Sequence, residues 1–356
     1  MSKKILLTGG GTAGHVTPNI ALLPELKKLG YEIHYMGSYD GIEKKLIEDL
    51  GIPYTGISSG KLRRYLSAKN FTDPFRVLKG FSEAKKFIKE YKPDVVFSKG
   101  GFVSVPVVFA AKKYKIPVII HESDMTPGLA NKLAIPKAVK VCHNFPETAK
   151  YLPEGKAVYT GSPIRAELLS GNKLLGLDMC KFTSNKPVIM VIGGSLGAAS
   201  VNKAVREALP KLLDKFQVVH LCGKGKIDES LNNTKGYIQF EYIKSELKNL
   251  FAMADVIISR AGANAICEIL ALKKPSILIP LPANASRGDQ LLNAASFSNQ
   301  GFSEVIEEEN ITTDLLVNTI NNVYKERASY IKAISNAPSG NAIDKIIGLI
   351  EEQINK

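Results

Sequence analysis

Short apolar runs alternate with longer segments of mixed polarity along the whole chain. Runs that are apolar throughout are typical of strands buried on both faces of a sheet, and their alternation with helices predicts parallel pairing through right-handed crossovers. The predicted strands of the first half lie near residues 5–7, 33–36, 95–98, 118–121 and 158–160. Those of the second half lie near residues 188–192, 218–222, 238–240, 256–259 and 276–280. We therefore expect an α/β protein built from open parallel sheets.

The first predicted strand leads into a glycine-rich segment, Gly9 to Pro18, and then into a helical pattern. Thr17 is a good N-cap and Pro18 suits the first helical position, so we expect the helix to begin near residue 17 and His15 to lie in the loop before it. The N–H groups of such a loop and helix N-terminus bind anions, and a histidine beside them is a candidate base. Alternatively, the glycines only form a turn and His15 only caps a backbone group.

The second half repeats this arrangement. The run at residues 188–192 leads into a second glycine segment, Gly193 to Ala198, and a helix is predicted from about Ala199. Strand, glycine turn and helix at the head of each half predict two similar domains, each with an anion-binding loop. The length of 356 residues also favours two domains. The loosely patterned, polar stretch of residues 168–186 is expected to separate them.

Two helices carry further expectations. Pro24 lies inside the helical pattern of residues 20–29, so it should kink that helix or end its first part. The last predicted helix, residues 342–354, has a wide apolar stripe that must pack on something, and we expect it to return to the first domain.

Glycine and polar residues follow other predicted strands. Residues 99–101 form a Lys-Gly-Gly turn after one strand, and residues 121–124 end the next one with His, Glu, Ser and Asp. A single polar group at a buried strand end is usually a structural hydrogen bonder. Ligands gather at the carboxyl edge of open α/β sheets, however, so three such ends favour a site. Glu268, in a helix predicted from near Ala263, could bind a ribose diol or face solvent.

The net charge of +13 predicts attraction to polyanions, which include nucleic acid, anionic lipid and phosphorylated substrates. Residues 61–92 are especially basic. Apolar residues recur there at helical spacing and are expected to form one face packed on the sheet: Phe75, Leu78, Phe81, Ala84, Ile88 and Tyr91. The densest basic cluster suits an anionic membrane surface, or is a solvated basic face: Lys61, Arg63, Arg64 and Tyr65.

The apolar runs fall short of the roughly 18 to 20 residues needed to span a bilayer, and the N-terminus lacks a signal-peptide pattern. We therefore expect a protein that stays in the cytoplasm. The cysteines are scattered without metal-ligand spacing and are expected to be reduced packing residues, so neither zinc nor disulfides are implied: Cys142, Cys180, Cys222 and Cys267.

Seven segments, taken in order, resemble those of the bacterial peptidoglycan glycosyltransferases that add N-acetylglucosamine to lipid I to give lipid II. They are residues 10–15, 99–106, 121–122, 128–131, 161–165, 193–198 and 260–263. The resemblance extends over nearly the whole chain. It implies the glycosyltransferase B fold, with two Rossmann-like domains facing a cleft. Residues 1–163 would bind the acceptor and the membrane, with the helix of residues 342–356 packed back on them, and residues 164–341 would bind UDP-N-acetylglucosamine.

The same resemblance implies an inverting hexosyltransferase that uses no metal and no cofactor. The sequence agrees at one point, because it contains no Asp-x-Asp motif of the kind that clamps a metal on a sugar nucleotide. Backbone amides and a helix dipole would then stabilise the departing diphosphate. The implied partners are UDP-N-acetylglucosamine, undecaprenyl-linked lipid I, the anionic membrane surface on the cytoplasmic side, and cell-wall or division proteins, with no nucleic acid.

By the pattern of this family, His15 would be the general base for the C4 hydroxyl of the acceptor. The implied donor-binding residues are Thr12, Ala13, Gly14, Asp124, Arg165, Ser195, Ile243, Ala263, Asn264, Ala265, Ile266, Glu268 and Gln290. The implied acceptor-binding residues are Gly10, Gly11, Gly100, Gly101, Phe102 and Asn131.

Two positions depart from the family pattern. Ala13 replaces the usual glycine, so its φ must be negative or strained. Asp124 replaces the usual asparagine, and an ionised carboxylate can only accept hydrogen bonds, so this sugar contact is in question.

Two other functions were weighed. Gly9, Gly11 and Gly14 satisfy the Gly-x-Gly-x-x-Gly fingerprint of an NAD(P)-dependent oxidoreductase. That fingerprint needs its helix to begin within the glycines, and Asp40 lies beyond the place of a ribose-binding acid. A non-enzymatic module that coats membrane or nucleic acid would explain the basic residues 61–92 but gives no reason for two phosphate loops.

Overall fold

The computed structural model describes residues 3–60, 69–194, 197–285, 287–337 and 341–356, with the backbone alone for residues 69–74. The chain divides into two compact units, one formed by Met1–Arg165 with Ser339–Lys356 and the other by Ala166–Pro338. Each unit is built on a parallel β-sheet with helical crossovers. The predicted fold class of two Rossmann-like α/β domains is confirmed.

The sheet of the first unit has seven strands in the order β3-β2-β1-β4-β5-β6-β7, and every neighbouring pair is parallel. These strands are β1 (Lys4–Thr8), β2 (Glu32–Ser38), β3 (Tyr54–Ile57), β4 (Val95–Ser98), β5 (Val118–Glu122), β6 (Lys140–His143) and β7 (Ala157–Tyr159). The helices that connect them are α1 (Thr17–Lys28), α2 (Ile42–Glu48), α3 (Lys69–Tyr91), α4 (Ser104–Lys113) and α5 (Leu129–Ala134). The sequence pattern missed β3 and β6, which are short and interrupted by glycine or polar residues.

The sheet of the second unit has six strands in the order β10-β9-β8-β11-β12-β13, again parallel throughout. These strands are β8 (Val188–Ile192), β9 (Gln217–Leu221), β10 (Tyr237–Phe240), β11 (Val256–Ser259), β12 (Ser276–Leu278) and β13 (Ser303–Val305). The helices are α6 (Ala166–Leu169), α7 (Lys173–Cys180), α8 (Ala199–Leu212), α9 (Leu247–Met253), α10 (Ala263–Ala271), α11 (Asp289–Asn299), α12 (Thr313–Lys325) and α13 (Arg327–Ser335). The three-residue strand β13 was not predicted.

The last helix, α14 (Ala342–Ile354), belongs to the first unit. Its buried Ile346 and Ile350 enter the same hydrophobic cluster as Ile5 of β1 and Leu22 of α1. On the opposite face of the sheet, Leu6 packs in a separate cluster with residues of α3 and α4. Alternate residues of one strand thus face two helical layers, as expected for a strand covered on both sides.

The start of α1 differs from its prediction. The N-cap is Val16 rather than Thr17, because a turn of 3-10 helix, Ala13–His15, leads directly into α1. His15 therefore lies in this turn and not in an irregular loop. The helix also continues past the exposed Pro24, which does not end it. The buried Leu22, Leu23 and Leu26 hold both sides of the proline on the sheet.

Residues 168–186 are not the loosely structured stretch that their polarity predicted, because they contain the second half of α6 and all of α7. Asn172 caps α7 by accepting hydrogen bonds from the N–H groups of Leu174 (2.8 Å) and Leu175 (3.2 Å). A Cβ at Gly176 would lie 2.4 Å from the Asn249 carbonyl oxygen. Close approach of the α7 and α9 backbones, rather than an apolar stripe, fixes this helix.

The expected apolar face of α3 is present only in its second half. Ala84 and Ile88 are buried, whereas Phe75 is 74% and Leu78 is 64% exposed, which contradicts the prediction that they pack on the sheet. The 23 residues of α3 span about 35 Å, about twice the length of a five-residue strand. The N-terminal half of α3 therefore extends beyond the sheet and leaves Phe75 and Leu78 in solvent.

Candidate functional site

In the first unit the strand order reverses between β1 and β4, which are direct neighbours in the sheet. The crevice at the carboxyl ends of two such strands is the usual ligand site of an open α/β sheet. Here it is formed by the glycine loop Gly9–Gly11 after β1 and by residues 99–101 after β4. The two loops are joined, because the Gly10 N–H donates to the Gly100 carbonyl at 3.3 Å.

Buried polar side chains hold the end of β1. Asn19 donates from Nδ2 to the Thr8 carbonyl at 3.2 Å, and Tyr35 donates from its hydroxyl to the Gly9 carbonyl at 2.8 Å. A Cβ at Gly9 would lie 2.4 Å from the His15 carbonyl oxygen. Only glycine fits there, and the loop is fixed at its first residue.

His15 is half-buried, and its ring points back across this loop. Its Nδ1 atom lies 3.0 Å from the Gly10 carbonyl oxygen and 3.1 Å from Thr12 Oγ1. Because a carbonyl oxygen only accepts hydrogen bonds, the contact with Gly10 requires the proton on Nδ1 and leaves a lone pair on Nε2. This tautomer is the one that a base acting through Nε2 needs.

The sequence analysis missed Glu43, a fully buried carboxylate beneath the same loop. It accepts hydrogen bonds from the Gly11 N–H at 3.2 Å and from the Ser38 N–H at 3.0 Å. The sequence predicted that N–H groups of this loop bind a ligand anion. The Gly11 N–H instead donates to the Glu43 carboxylate. No local pattern identifies Glu43, since its partners lie 32 and 5 residues away. Ala13, in contrast, adopts a negative φ and is not strained.

At the end of β5, Lys99 and His121 form a buried pair. Lys99 Nζ donates to His121 Nδ1 at 2.8 Å and also contacts Ser123 Oγ, while His121 Nε2 donates to the Gly161 carbonyl at 2.9 Å. Burial, together with the charge of Lys99, holds the pKa of His121 well below its usual value. His121 is thus a neutral acceptor that orients Lys99, and it has the structural role usual for a single histidine.

Glu122, next in the chain, organises the loop that follows β5. It accepts hydrogen bonds from the N–H groups of Asp124 (3.0 Å) and Gly128 (3.1 Å), and from Asn131 Nδ2 at 2.8 Å. Burial and then the neighbouring Asp124 carboxylate raise the pKa of Glu122. A Cβ at Gly100 would lie 3.0 Å from Asn131 Oδ1. The predicted acceptor residues after β4 and β5 are therefore in contact with one another.

The second unit has the same switch point between β8 and β11. The loop after β8 turns through Gly194 (φ +81°) and Gly197 (φ +66°) before α8 begins at Ala199. A Cβ at Gly197 would lie 1.9 Å from the Cys222 carbonyl oxygen, so glycine is required there by space as well as by conformation. This loop directs the N-terminus of a 14-residue helix toward the crevice.

Neutral side chains pin α8 to the end of β9. Asn202 donates from Nδ2 to the Cys222 carbonyl at 2.8 Å and accepts from His220 Nε2 at 3.0 Å. Tyr237 donates its hydroxyl to His220 Nδ1 at 2.9 Å. Burial, and to a smaller extent Arg206, lowers the pKa of His220 to about 3, so the imidazole stays neutral. This buried row fixes where the helix begins.

An ion pair that the sequence analysis did not single out closes the other side of this crevice. Arg260, directly after β11, forms a bidentate pair with Glu308 at 2.7 Å and 2.9 Å. The same guanidinium donates to the carbonyls of Ile279 (3.1 Å) and Pro280 (3.3 Å). The hydrogen bonds from Arg260 hold the pKa of Glu308 below its usual value. Arg260 therefore joins the ends of β11 and β12.

The predicted uridine residues lie on α10, which begins at Ala263 as expected. Ala263 and Ile266 are buried in the core, so only their main-chain groups can meet a ligand. Asn264, Ala265 and Glu268 are half-buried and share the other face of the helix. Glu268 was expected either to bind a ribose diol or to face solvent. Its half-buried position means that it does not point fully into solvent.

The remaining donor candidates are placed as follows. Gln290 lies in the first turn of α11, and its Oε1 accepts from the Leu281 N–H at 3.1 Å, which fixes the orientation of its amide. Ile243 is buried in the segment after β10. Arg165 is half-buried at the end of the first unit, although the sequence had assigned it to the second domain.

Some candidates cannot be placed. Ser195 and the basic cluster Lys61, Arg63, Arg64 and Tyr65 lie outside the described residues. In the part of the chain that is described, no three His, Cys, Asp or Glu side chains gather in a group that could hold a metal ion. Within the same ranges, no helix has the length and apolar character to cross a membrane.

The dinucleotide fingerprint is not supported by the local structure. The helix after the glycines begins at Thr17, behind a 3-10 turn, and β2 ends at Ser38, before Asp40. Neither the helix N-terminus nor an acidic residue at the strand end is where a dinucleotide needs it.

Comparison with known proteins gives consistent matches over both units. Residues 5–143 match the model of the glycosyltransferase family 28 N-terminal domain, and residues 188–349 match that of the glycosyltransferase family 28 C-terminal domain. A protein of Lachnoclostridium phytofermentans is 68% identical over 350 residues, which cover 98% of this chain and 99% of that protein. A protein of Clostridium novyi is 60% identical over 354 residues, 99% of each chain. Both are named UDP-N-acetylglucosamine–N-acetylmuramyl-(pentapeptide) pyrophosphoryl-undecaprenol N-acetylglucosamine transferase.

Solved structures agree with this match. The crystal structure of Acinetobacter baumannii MurG has a TM-score of 0.78 and 26% identity, with 98% of this chain and 99% of that chain covered. The calicheamicin glycosyltransferase CalG4 shares the fold at 12% identity, with a TM-score of 0.72 over 100% of this chain and 99% of that one.

Proposed function

From the premise that this chain belongs to glycosyltransferase family 28, we propose that it transfers N-acetylglucosamine from UDP-N-acetylglucosamine to lipid I. The product is lipid II, the disaccharide precursor of peptidoglycan. The observation that carries the proposal is the identity of 60% to 68% with transferases of this name over almost the entire length of both chains. The protein is therefore a hexosyltransferase of cell-wall synthesis.

His15 is the general base of the proposed reaction. It takes the proton of the acceptor C4 hydroxyl on Nε2 while that oxygen attacks the anomeric carbon of the donor. The support is the tautomer that the Gly10 carbonyl imposes on the ring. A direct displacement by one oxygen inverts the anomeric centre, and a neutral imidazole can accept the proton of the attacking hydroxyl.

The second unit holds the donor in this proposal. The diphosphate meets the glycine loop before α8, including Ser195, with Arg165 as a further contact. Main-chain N–H groups and the positive end of the helix dipole stabilise the charge that develops on the departing UDP, and no metal or cofactor is required. The uridine meets Ile243 and the segment of residues 263–268, with the ribose diol on Glu268. Gln290 contacts the transferred sugar.

The first unit holds the acceptor. Gly10, Gly11, Gly100, Gly101 and Phe102 line the two joined loops, and Asn131 lies beside them. Two adjacent glycines with φ values of +93° and +84° let the loop after β4 pack closely on Asn131 and on the Gly10 carbonyl, which holds the two loops together at the crevice. Thr12, Ala13, Gly14 and Asp124 border the transferred sugar from this side, and the carboxylate of Asp124 accepts hydrogen bonds from its hydroxyls.

The first unit also binds the membrane surface that carries the acceptor. Beyond the basic cluster of residues 61–65, the support is a set of exposed apolar side chains on neighbouring helices, with lysines around them. They are Phe75 and Leu78 of α3, Phe109 of α4, and Leu129 and Leu133 of α5. Apolar side chains among basic ones favour an anionic lipid surface. We place the enzyme on the cytoplasmic face, where it can meet cell-wall and division proteins.

A direct assay tests the function. The protein is incubated with UDP-N-acetylglucosamine and a lipid I analogue in the presence of EDTA, and the lipid product is analysed by mass spectrometry. We expect one N-acetylhexosamine to be added, with release of UDP. Binding of UDP with no sugar transfer to the acceptor would contradict the proposed reaction. Binding of NADH without UDP binding would favour the oxidoreductase alternative.

A further inference from the structure

The His15 ring and the buried Glu43 carboxylate contact the same peptide group. The peptide plane between residues 10 and 11 carries the Gly10 carbonyl at one end and the Gly11 N–H at the other. The carbonyl accepts from His15 Nδ1 at 3.0 Å, and the N–H donates to Glu43 Oε2 at 3.2 Å. Because the carbonyl and the N–H of a trans peptide lie in one plane and point in opposite directions, His15 and Glu43 lie at opposite ends of this peptide group.

The carboxylate itself is held in one orientation. Its Oε1 atom accepts from the Ser38 N–H at 3.0 Å and contacts the Ser38 hydroxyl. Glu43 is fully buried, and within the described residues its carboxylate accepts hydrogen bonds from these two Ser38 donors and from the Gly11 N–H. A buried charge without a cation depends on such hydrogen bonds, so each donor is strongly favoured in its present direction.

The surrounding glycines make room for this carboxylate. A Cβ would lie 2.5 Å from Glu43 Oε1 at Gly10 and 2.2 Å from it at Gly41, and at Gly37 it would lie 2.8 Å from Glu43 Cγ. None of these three glycines has a positive φ, so their function here is space rather than unusual conformation. On its other side Gly10 meets Gly101, where a Cβ would lie 2.3 Å from the Gly10 carbonyl oxygen.

A peptide between two glycines has an alternative orientation. Gly11 is exposed with a φ of +86°, and rotating the peptide plane by about half a turn would give it a negative φ, as in the exchange between type II and type I turns. The Gly10 carbonyl would then face the Glu43 carboxylate and repel it, and His15 Nδ1 would lose its acceptor. Thr12 Oγ1, at 3.1 Å, could instead donate to Nδ1, which would place the ring proton on Nε2.

We propose that Glu43 is a positioning residue that acts through the Gly10–Gly11 peptide to hold His15 in the tautomer with the proton on Nδ1 and an unprotonated Nε2. This inference rests on the proposed role of His15 and deepens it. The Glu43 carboxylate and the His15 imidazole do not hydrogen-bond to each other directly. Each one contacts the same peptide group, which couples them. Glu43 does not touch the substrate. Glu43 instead favours the orientation of the Gly10–Gly11 peptide in which His15 carries no proton on Nε2, the nitrogen that reacts.

The test is Glu43→Gln. A glutamine amide can satisfy Ser38 only by turning its NH2 group toward the Gly10–Gly11 peptide, where it favours the flipped carbonyl. Long-range 1H–15N spectra of protein labelled at its five histidines identify which ring nitrogen of His15 carries the proton. We expect Nδ1–H in the wild type and a shift toward Nε2–H in the variant. Loss of a positioning residue cannot lower kcat more than loss of the base itself. We therefore expect kcat to fall about 10-fold to 100-fold, with little change in KM for the donor.

Glu48→Gln is the matched control, because Glu48 lies on the same helix, carries the same charge and is exposed. It should change neither the tautomer nor kcat. UDP binding shows whether Glu43→Gln is folded. If it is not, Gly11→Ala decides the question, since a Cβ there meets no atom within 4 Å yet disfavours the φ of +86°. This variant should shift the tautomer in the same direction.

A wild-type ring with Nε2–H, or an unchanged tautomer and kcat in folded Glu43→Gln, would overturn the proposal. If Glu43→Gln does not fold, an unchanged His15 tautomer in Gly11→Ala would also overturn the proposal. The spectra need no substrate. A failed transfer assay with the expected tautomers would therefore contradict the proposed function alone, and normal transfer with unaffected tautomers would contradict the role of Glu43 alone.

Discussion

The two glycine loops of this protein occupy equivalent switch points but are supported by opposite chemistry. After β1 the loop lies on a buried carboxylate, Glu43, which takes the N–H of Gly11. After β8 the loop is packed on the main chain of residue 222, and the start of α8 is pinned by the neutral amide of Asn202. The same arrangement of strand, turn and helix is therefore supported by a buried carboxylate in the first unit and by a neutral amide and main-chain packing in the second.

The difference shows why similar loops need not bind similar groups. A negative charge beneath the first loop disfavours a phosphate there and favours an imidazole that takes up a proton. Beside the second loop, the Glu308 carboxylate contacts Ser200 in the first turn of α8, but this carboxylate is paired with Arg260. The 14-residue α8 adds the positive end of its dipole. Glycine spacing alone predicts two anion sites. The groups beneath the loops instead suggest acid–base chemistry in the first unit and donor binding in the second.

The largest effect is expected for His15→Ala. Removing the base should lower kcat for sugar transfer by about two to four orders of magnitude. The assay is lipid II formation at saturating concentrations of both substrates. His34→Ala is a suitable control, because His34 contacts Thr55 rather than the glycine loop. Burial also lowers the pKa of His34 to about 4. Wild-type turnover in the His15 variant would remove this residue from the mechanism.

A pair of variants in the second loop separates space from conformation. In Gly197→Ala the new Cβ would lie 1.9 Å from a carbonyl oxygen, so the loop must move, and we expect UDP affinity to fall about 100-fold as charge-assisted contacts are lost. In Gly194→Ala nothing lies within 4 Å, and only the φ of +81° is strained, so the loss should be about fivefold to tenfold. Calorimetric titration with UDP measures both. Unchanged UDP affinity in Gly197→Ala would mean that the loop does not contact the diphosphate.

The comparison extends to the surfaces of the two units. Phe75→Ser with Leu78→Ser should reduce binding to anionic vesicles about 10-fold to 100-fold. This is about 1.4 to 2.8 kcal/mol, roughly half of what the two side chains would contribute if both were fully buried in lipid. Leu174→Ser in the second unit is the control, since Leu174 is 71% exposed and should not contribute. Vesicle co-sedimentation gives the partition. Equal effects of both changes would locate the membrane contact elsewhere.

A smaller effect than that of Gly197→Ala is expected for Arg260→Lys. Lysine keeps the charge but cannot form the bidentate pair with Glu308, so the ends of β11 and β12 should loosen and the KM for UDP-N-acetylglucosamine rise about tenfold. Arg327→Lys, at an exposed arginine of α13, serves as the control. Initial rates at varied donor concentration measure the change. A raised KM in the control alone would contradict the role assigned to the ion pair.

Local pattern was sufficient for the elements that are apolar throughout. The bounds of β4, β8 and β11 and the start of α14 were predicted to the residue, and α10 begins at Ala263, close to where it was expected. The strands that were missed contain residues such as Gly56 and Glu304, which are stabilised by pairing with a neighbouring strand rather than by their own pattern. Helix α7 was missed for a similar reason, because its position depends on the close backbone contact at Gly176.

The site was predictable only where its residues lie close together in sequence. The loop that carries His15 is one segment, and the resemblance to a family identified it. Glu43 and Glu308 lie far along the chain from the groups they hold, at sequence separations of 32 and 48 residues. Each is an acidic residue near a helical segment, where solvent exposure is the usual expectation. Only the fold shows that these carboxylates support the two loops.

The central claim is that the first unit supplies the base while the second holds the donor. The most direct measurement is the dissociation constant of UDP in His15→Ala and Gly197→Ala, determined by calorimetry beside the wild type. We predict a value within about twofold of wild type for the histidine variant and an approximately 100-fold weaker one for the glycine variant. Loss of UDP binding in His15→Ala, with unchanged binding in Gly197→Ala, would contradict the account.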